Sequence, residues 1–503
     1  MADIGVIESP PRRRRRIKPS MRWPLALLTA AVAIFLFYYL DTYFRGYVPP
    51  AMHEFVSRWL PLLAVNEAMV YVLAALGLNI VVGYAGLLDL GFVAFWAIGG
   101  YTAGWIMSGF FQKDGLNFRF FGSQFTKVNN IGGIHINFWT VLVAAALICA
   151  VAGIIIGAPT LRLRSDYLAL VTLGFGEIIY EVFYNGDDVF GVNVSNGTQG
   201  ITPVDAVRFL GFDNTGALTW KDLGPFDVLP KFVIFVGLVA LVLFASIRIR
   251  EGKLGRAWLA IREDELAASS MGVPLMRTKL SAYALGAVSG GAAGAAFAVH
   301  VSGVLPDRFR FDISILLVAM VVLGGMGNVW GVTVGALILA WTNSTGLPRV
   351  ESAILGSESS RGATTVFMFV LAAALLGFGL WLVLTKRSAG PLALFLSGIS
   401  LIIAVVLIIS DNPTFQFLIF GSVLVLMMLF RREGLIPEAR TRLVLREQGR
   451  TDAESLGADM EEVAPELEAL TDEAVHAGGT VPAAPMGAAD PRGTDGDRGR
   501  HRA

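Results

Sequence analysis

Long uncharged stretches alternate with short polar ones along the chain. Apolar runs fall at about 23–40, 61–82, 87–110, 138–158, 167–184, 231–248, 279–300, 313–326, 328–343, 364–385, 390–410 and 414–430. Most approach or exceed the ~18–20 residues that a helix needs to cross a hydrocarbon layer of roughly 30 Å. Backbone groups left unpaired in lipid are too costly, so helices are the spanning form these runs can take. The pattern predicts an all-α fold, a polytopic transmembrane helical bundle.

Two runs are interrupted. Residues 83–92, GYAGLLDLGF, place three glycines and Asp89 inside apolar sequence, and residues 324–328, GGMGN, divide what would otherwise be one span over 313–343. Irregular backbone at membrane depth survives only inside protein or beside a wet cavity, and broken helices in transporters use their free ends to hold a solute. Asn79, Gly83, Gly86, Asp89, Gly91, Gly324, Gly325, Gly327 and Asn328 are therefore candidates for a solute pathway. Glu177 joins them, because a carboxylate in an apolar stretch costs at least a few kcal/mol unless it faces the bundle interior or water. The alternatives are a tight turn with small-residue helix packing, a helix N-cap for Asp89, and a buried pair or interfacial position for Glu177.

Composition agrees with the pattern: of 503 residues 54% are hydrophobic and only 16% charged, with a mean hydropathy of +0.62. The formal net charge of +0 conceals an asymmetry that reports topology. Arg12 to Arg16 precede the first run, Arg162 and Arg164 follow the fourth, and a basic segment from Arg248 to Arg277 follows the sixth. Lys386 with Arg387 and Arg431 with Arg432 come later, whereas residues 185–229 hold six aspartates. The positive-inside rule puts the basic loops and both termini in the cytosol. A nucleic-acid arm is the lesser reading of the arginines. The first run lacks a small-residue cleavage site and reads as a retained span. After Arg432 the composition turns polar and charged, as expected of a mostly disordered tail over 433–503.

Chemistry is sparse. There is no phosphate-binding G-x-x-x-x-G-K-[ST], no H-E-x-x-H and no paired-cysteine spacing; the one cysteine, Cys149, lies in an apolar run, and the five histidines are scattered. No metal and no resident cofactor are expected, and catalysis is not. Residues 252–280 instead carry Trp258, Ile261, Leu266 and Met271 at helical spacing beside Arg262, Glu263, Asp264 and Glu265. They predict an amphipathic helix between Gly255 and Gly272, docking on another protein or lying on the bilayer.

Four stretches carry a resemblance: LGLNIVVGYAGLLDLGFVAFWAIGGYTAG from Leu76, LRLRSDYLALVTLGFGEIIYEVFYN from Leu161, LGRAWLAIREDELAASSMGV from Leu254 and SILLVAMVVLGGMGNVWGVTVGAL from Ser314. With FLIFGSVLVLMMLFRREGLIP from Phe417 they resemble the inner-membrane permease subunits of branched-chain amino acid ABC importers, of the LivM type. The resemblance implies about ten core spans and a cytosolic coupling loop, here 249–278, in which Arg262, Glu263, Asp264, Glu265, Ala267, Ala268 and Gly272 would meet the ATPase. It implies a second homologous permease subunit, two ABC ATP-binding subunits carrying ATP and Mg, an extracytoplasmic substrate-binding protein and surrounding lipid, with no nucleic acid. Leu87, Asp89 and Phe92 stand where the family has Gln, Ser and His. The expected organisation is a basic segment 1–22, a core over 23–349, an inserted helix pair over 350–412 that preserves loop parity, a final core span over 413–432, and the tail. A urea or short-amide importer of the same superfamily and an ion-coupled transporter using Asp89 and Glu177 are the rival readings; a membrane enzyme would need a cluster of acid, base or metal-binding residues.

Overall fold

The computed structural model describes residues 22–43, 49–112, 115–120, 132–163, 165–212, 218–223, 227–346 and 434–436. The expectations for 1–21, the inserted pair at 350–412, the final span and the tail beyond 436 fall outside them.

Among the described residues the predicted runs become helices, and three further α-helices form outside those runs. They are α1 (Arg22–Tyr43), α2 (Pro50–Trp59), α3 (Leu62–Leu78), α4 (Val93–Ile106), α5 (Phe138–Thr160), α6 (Ser165–Tyr184), α7 (Val228–Glu251), α8 (Lys253–Glu263), α9 (Glu265–Ser270), α10 (Leu275–Val301), α11 (Phe311–Gly324) and α12 (Val329–Trp341). Among the described residues five helices are long and apolar enough to cross a membrane. Three expected spans are short helices. The run at 87–110 becomes helical only at Val93, and α4, α11 and α12 have 14, 14 and 13 residues. At 1.5 Å per residue each reaches only about 20 Å, leaving roughly 10 Å of a hydrocarbon layer to non-helical residues.

Burial separates the centre from the rim. In the most apolar 18-residue window of Met52–Tyr84, 89% of the residues are buried, and in that of Leu275–Val301 72%, against 28% for Phe138–Thr160 and for Tyr167–Tyr184. α3 and α10 are thus the core, and α5 and α6 present apolar side chains outward, as a lipid-facing helix does. Lipid is as apolar as leucine, so tight approach rather than hydrophobic burial must hold such helices together. Small residues provide it: a Cβ on Gly99 would lie 2.2 Å from the Gly291 carbonyl oxygen, and one on Gly294 would lie 2.1 Å from that of Trp96. Cys149 of α5 packs on the same ridge, where a Cβ on Gly291 would sit 2.5 Å from its Sγ.

Loops segregate by charge. At the acidic end lie strands the run pattern did not predict: β1 (Met107–Ser108), β2 (Asn117–Phe120) and β3 (Gly133–Ile136) in the order β1-β3-β2, and a hairpin of β4 (Val207–Phe212) and β5 (Leu218–Leu223). β1 runs antiparallel to β3 with Met107 opposite His135, and β2 is parallel to β3. His135 Nδ1 meets Asp205 Oδ2 at 2.8 Å, with side chains only 1% and 5% exposed, pinning residue 205 under this sheet. At the opposite, basic end gather residues 161–163, α8, α9 and the glycine turns after α3 and α11.

Candidate functional site

The first glycine stretch is where α3 stops being an α-helix. Residues Asn79–Tyr84 form a π turn, a wider winding often found at functional sites. Ala85 N–H donates to the Ile80 carbonyl and Leu87 N–H to that of Val81, leaving the Gly83 carbonyl to another partner. Arg262 of α8 supplies it, its Nη1 donating to that oxygen. Gly86 follows at φ +70°, and a Cβ there would lie 2.9 Å from Arg262 Cγ, so both its handedness and the close approach call for glycine. The Arg250 guanidinium stands 5.7 Å from the centre of the Tyr84 ring on the same turn.

The second stretch closes onto the first. Gly325 and Gly327 turn the chain at φ +110° and +85°, and Asn328 caps α12 by accepting from Trp330 N–H at 3.1 Å. Gly327 N–H donates to Asn79 Oδ1 at 2.9 Å, across 248 positions of sequence. Gly83 leaves the room for this: a Cβ on it would lie 2.1 Å from Asn79 Oδ1 and 2.6 Å from Gly327 N. Residues 434–436 complete the turn, with Leu435 N–H donating to Leu323 O at 2.8 Å, Ile436 N–H to Gly324 O at 3.2 Å, and Asn328 Nδ2 to Ile436 O at 2.9 Å. Asn79, Gly83, Gly86, Gly324, Gly325, Gly327 and Asn328 therefore form one assembly at the basic end.

Asp89 belongs to a separate cluster deeper in the bundle. The non-helical residues 85–92 contain it, and it is wholly buried. Its Oδ1 accepts from Gly91 N–H at 2.9 Å, and the Tyr283 and Thr172 hydroxyls stand beside the carboxylate. Thr172 of α6 accepts from Leu90 N–H at 3.1 Å, and Ser314 of α11 donates to the Leu90 carbonyl. A Cβ on Gly91 would fall 2.0 Å from the Thr172 carbonyl oxygen. The non-helical backbone is thus satisfied by protein. Glu177 does not join this cluster directly: Thr172 and Gly176 are the α6 residues that approach Gly91, and Glu177 is half-buried beside Gly176. Thr172 and Ser314 carry no local signal in their apolar runs, so periodicity does not single them out.

The predicted amphipathic helix is two helices, because Asp264 breaks it. Its backbone is extended and its Oδ1 accepts from Leu266 and Ala267 N–H at 2.8 and 3.0 Å, capping α9. The division separates the apolar positions. Trp258 and Ile261 of α8 are buried, the indole N–H donating to Thr278 O at 3.0 Å, while Leu266 and Met271 stand 79% and 85% exposed. Glu265 pairs with Lys279 of α10 at 2.6 Å, beside a cleft of about 450 Å³ lined also by Arg162, Leu275 and Met276. Glu263 and Ala267 are exposed and Ala268 is buried. Gly272 turns at φ +84°, and a Cβ on it would meet no atom within 4 Å. Among the described residues no group of three or more His, Cys, Asp or Glu could hold a metal.

A family described as branched-chain amino acid transport system / permease component matches residues 60–379, more than half of the chain. The chain belongs to this family. Consistent with that membership, the chain is 38% identical over 283 residues to the high-affinity branched-chain amino acid transport system permease protein LivM of Salmonella typhimurium, covering 54% of this chain and 60% of that protein. It is likewise 38% identical over 286 residues to LivM of Escherichia coli, with the same coverage. A probable branched-chain amino acid transport permease protein LivM of Methanocaldococcus jannaschii is 26% identical over 288 residues, 53% of this chain and 75% of that protein. The permease thus spans about 60% of the length of the first two relatives. No solved structure matches it.

Proposed function

We propose that this permease is the membrane-spanning subunit of an ATP-driven importer and forms half of a translocation pathway for branched-chain or related amino acids. The observation that carries the reading is the exposed α9, with Leu266 and Met271 outward on a helix pair whose other half is anchored to the bundle by Trp258 and Arg262. Such a surface suits a protein partner. The basic end faces the cytosol, the termini lie there too, and the membrane is the cytoplasmic one. The partners are a second homologous permease, two ABC ATP-binding subunits that hold ATP and Mg, and a substrate-binding protein outside. This chain performs no hydrolysis itself.

In this reading the receptor delivers solute to the acidic end, and ATP binding to the partners displaces α8 and α9. ATP biases the bundle only through its different affinity for the two conformations. The segments around Gly86, Asp89, Glu177 and Gly325 line the path and change the side they face. The test is co-purification from membranes, followed by uptake in vesicles from a panel of amino acids, urea and short amides. ATP-dependent uptake of a branched-chain amino acid supports the reading, and preference for urea replaces its substrate. Uptake by the isolated chain without ATPase subunits would refute it and favour an ion-coupled mechanism through the buried Asp89.

A further inference from the structure

We propose that Arg262 is a positioning residue that ties the helix pair α8–α9 to both glycine turns at once, so that the turns after α3 and α11 move as one body with the docked ATPase. The inference rests on the importer reading for its purpose, but the linkage itself is geometric. Two side chains span the distance. Arg262 Nη1 donates to the Gly83 carbonyl, the oxygen at the end of the π turn. From the start of that same turn, Asn79 Oδ1 accepts from Gly327 N–H at 2.9 Å in the α11–α12 turn.

Both links end on backbone, so displacement of either side chain displaces the chain path and not a rotamer. Slack is absent from the joint. The methyl-sized spaces at Gly83 and Gly86 are already occupied, by Asn79 Oδ1 and by Arg262 Cγ. An arginine also suits the place electrostatically, since a cation is favoured by the carbonyls at a helix C-terminus. The π turn provides the yielding element. A π turn and an α turn differ by a single residue in the step of their hydrogen bonds, so loss of the Arg262 bond frees the Gly83 carbonyl and allows residues 79–84 to rewind. Rewinding turns Asn79 away from Gly327 and releases the α11–α12 turn.

The test uses the full chain in its complex in lipid nanodiscs, with two readouts. The first is amide hydrogen exchange and is independent of transport. In Arg262→Gln, exchange should rise at least tenfold at 79–87 and also at 324–330, the turn that Asn79 holds through Gly327 N–H. Asn79→Ala should raise exchange at 324–330 to a similar level, and the double variant should add nothing there. A rise confined to 83–87 would overturn the linkage. The second readout is solute taken up per ATP hydrolysed, expected to fall at least tenfold in Arg262→Gln with both ATPase subunits still bound, and to recover in part in Arg262→Lys. Loss of the ATPase subunits would make Arg262 a docking residue and overturn the proposal. If exchange at 324–330 responds while the wild-type complex imports nothing, the linkage stands and the importer reading fails.

Discussion

Replacing Gly83 by alanine tests the joint between the two glycine turns directly. In an unconstrained helix this change would stabilise by about 1 kcal/mol. Here the new methyl group would sit 2.1 Å from Asn79 Oδ1 and 2.6 Å from the Gly327 nitrogen, neither of which can move without breaking their mutual bond. Forced overpacking costs about 1–3 kcal/mol, and a buried N–H left without an acceptor costs about 1–3 kcal/mol. Gly83→Ala should therefore destabilise by roughly 1–5 kcal/mol once the helix gain is subtracted. Asn79→Ala alone removes the acceptor and costs about 1–3 kcal/mol. The two penalties share one bond, so the double variant should fall short of their sum by at least about 1 kcal/mol, the approach to Gly327 N keeping the remainder. The assay is thermal unfolding in detergent followed by tryptophan fluorescence, comparing the four midpoints. A Gly83→Ala midpoint at or above wild type, or strictly additive shifts, would refute the packing argument.

Glu265→Ala combined with Gly272→Ala should uncouple ATP hydrolysis from uptake while receptor docking persists; the midpoint should also fall, because the buried Lys279 loses its partner and alanine is strained at φ +84°, and unchanged transport would defeat the coupling assignment. Asp89→Asn keeps the acceptor for Gly91 N–H and should fold at least as stably, yet slow uptake at least tenfold if Oδ2 faces the solute; normal uptake would remove Asp89 from the path. At the acidic end, burial pulls the His135 imidazole down, but its hydrogen bond to Asp205, that carboxylate's charge and the Gly132 carbonyl more than offset it and raise it above its ordinary 6.5. A raised value means the proton is bound more tightly in the folded state, so this stabilisation is full below pH 6.5 and is lost as pH climbs through the raised value. Midpoints measured from about pH 5.5 to 8.5 should fall across that window in the wild type, and His135→Gln should flatten the curve; parallel curves would refute the assignment.

The long helices are legible in the sequence because each apolar run exceeds what a soluble core needs, and the break at Gly324 follows from loop charge alone. Other features lie beyond periodicity. Helix α2 carries His53, Glu54 and Arg58 and never forms an apolar run, and β2, with Phe118 and Phe120 flanking Arg119, is too short to register. The 87–110 run hides its own first quarter, since the Leu90 backbone gains its hydrogen bonds from Thr172 and Ser314, which only the folded bundle brings near. Asp264 is recognisable as a cap from its place before Glu265 and Leu266. By contrast, the bond from Arg262 to Gly83 spans 179 positions and leaves no local trace. Glycine is a sound pointer for a physical reason: where two backbones nearly touch, only its side chain fits.

The lone thiol on the α5 ridge has a practical corollary. Cys149 is the sole cysteine in the sequence, is fully buried, and directs its Sγ at the Phe95 carbonyl from 3.3 Å. The native chain is thus its own silent background for maleimide chemistry. A single cysteine placed at Leu88 or Met326, the exposed tips of the two glycine turns, would report its aqueous access through the transport cycle with no other residue needing to be changed.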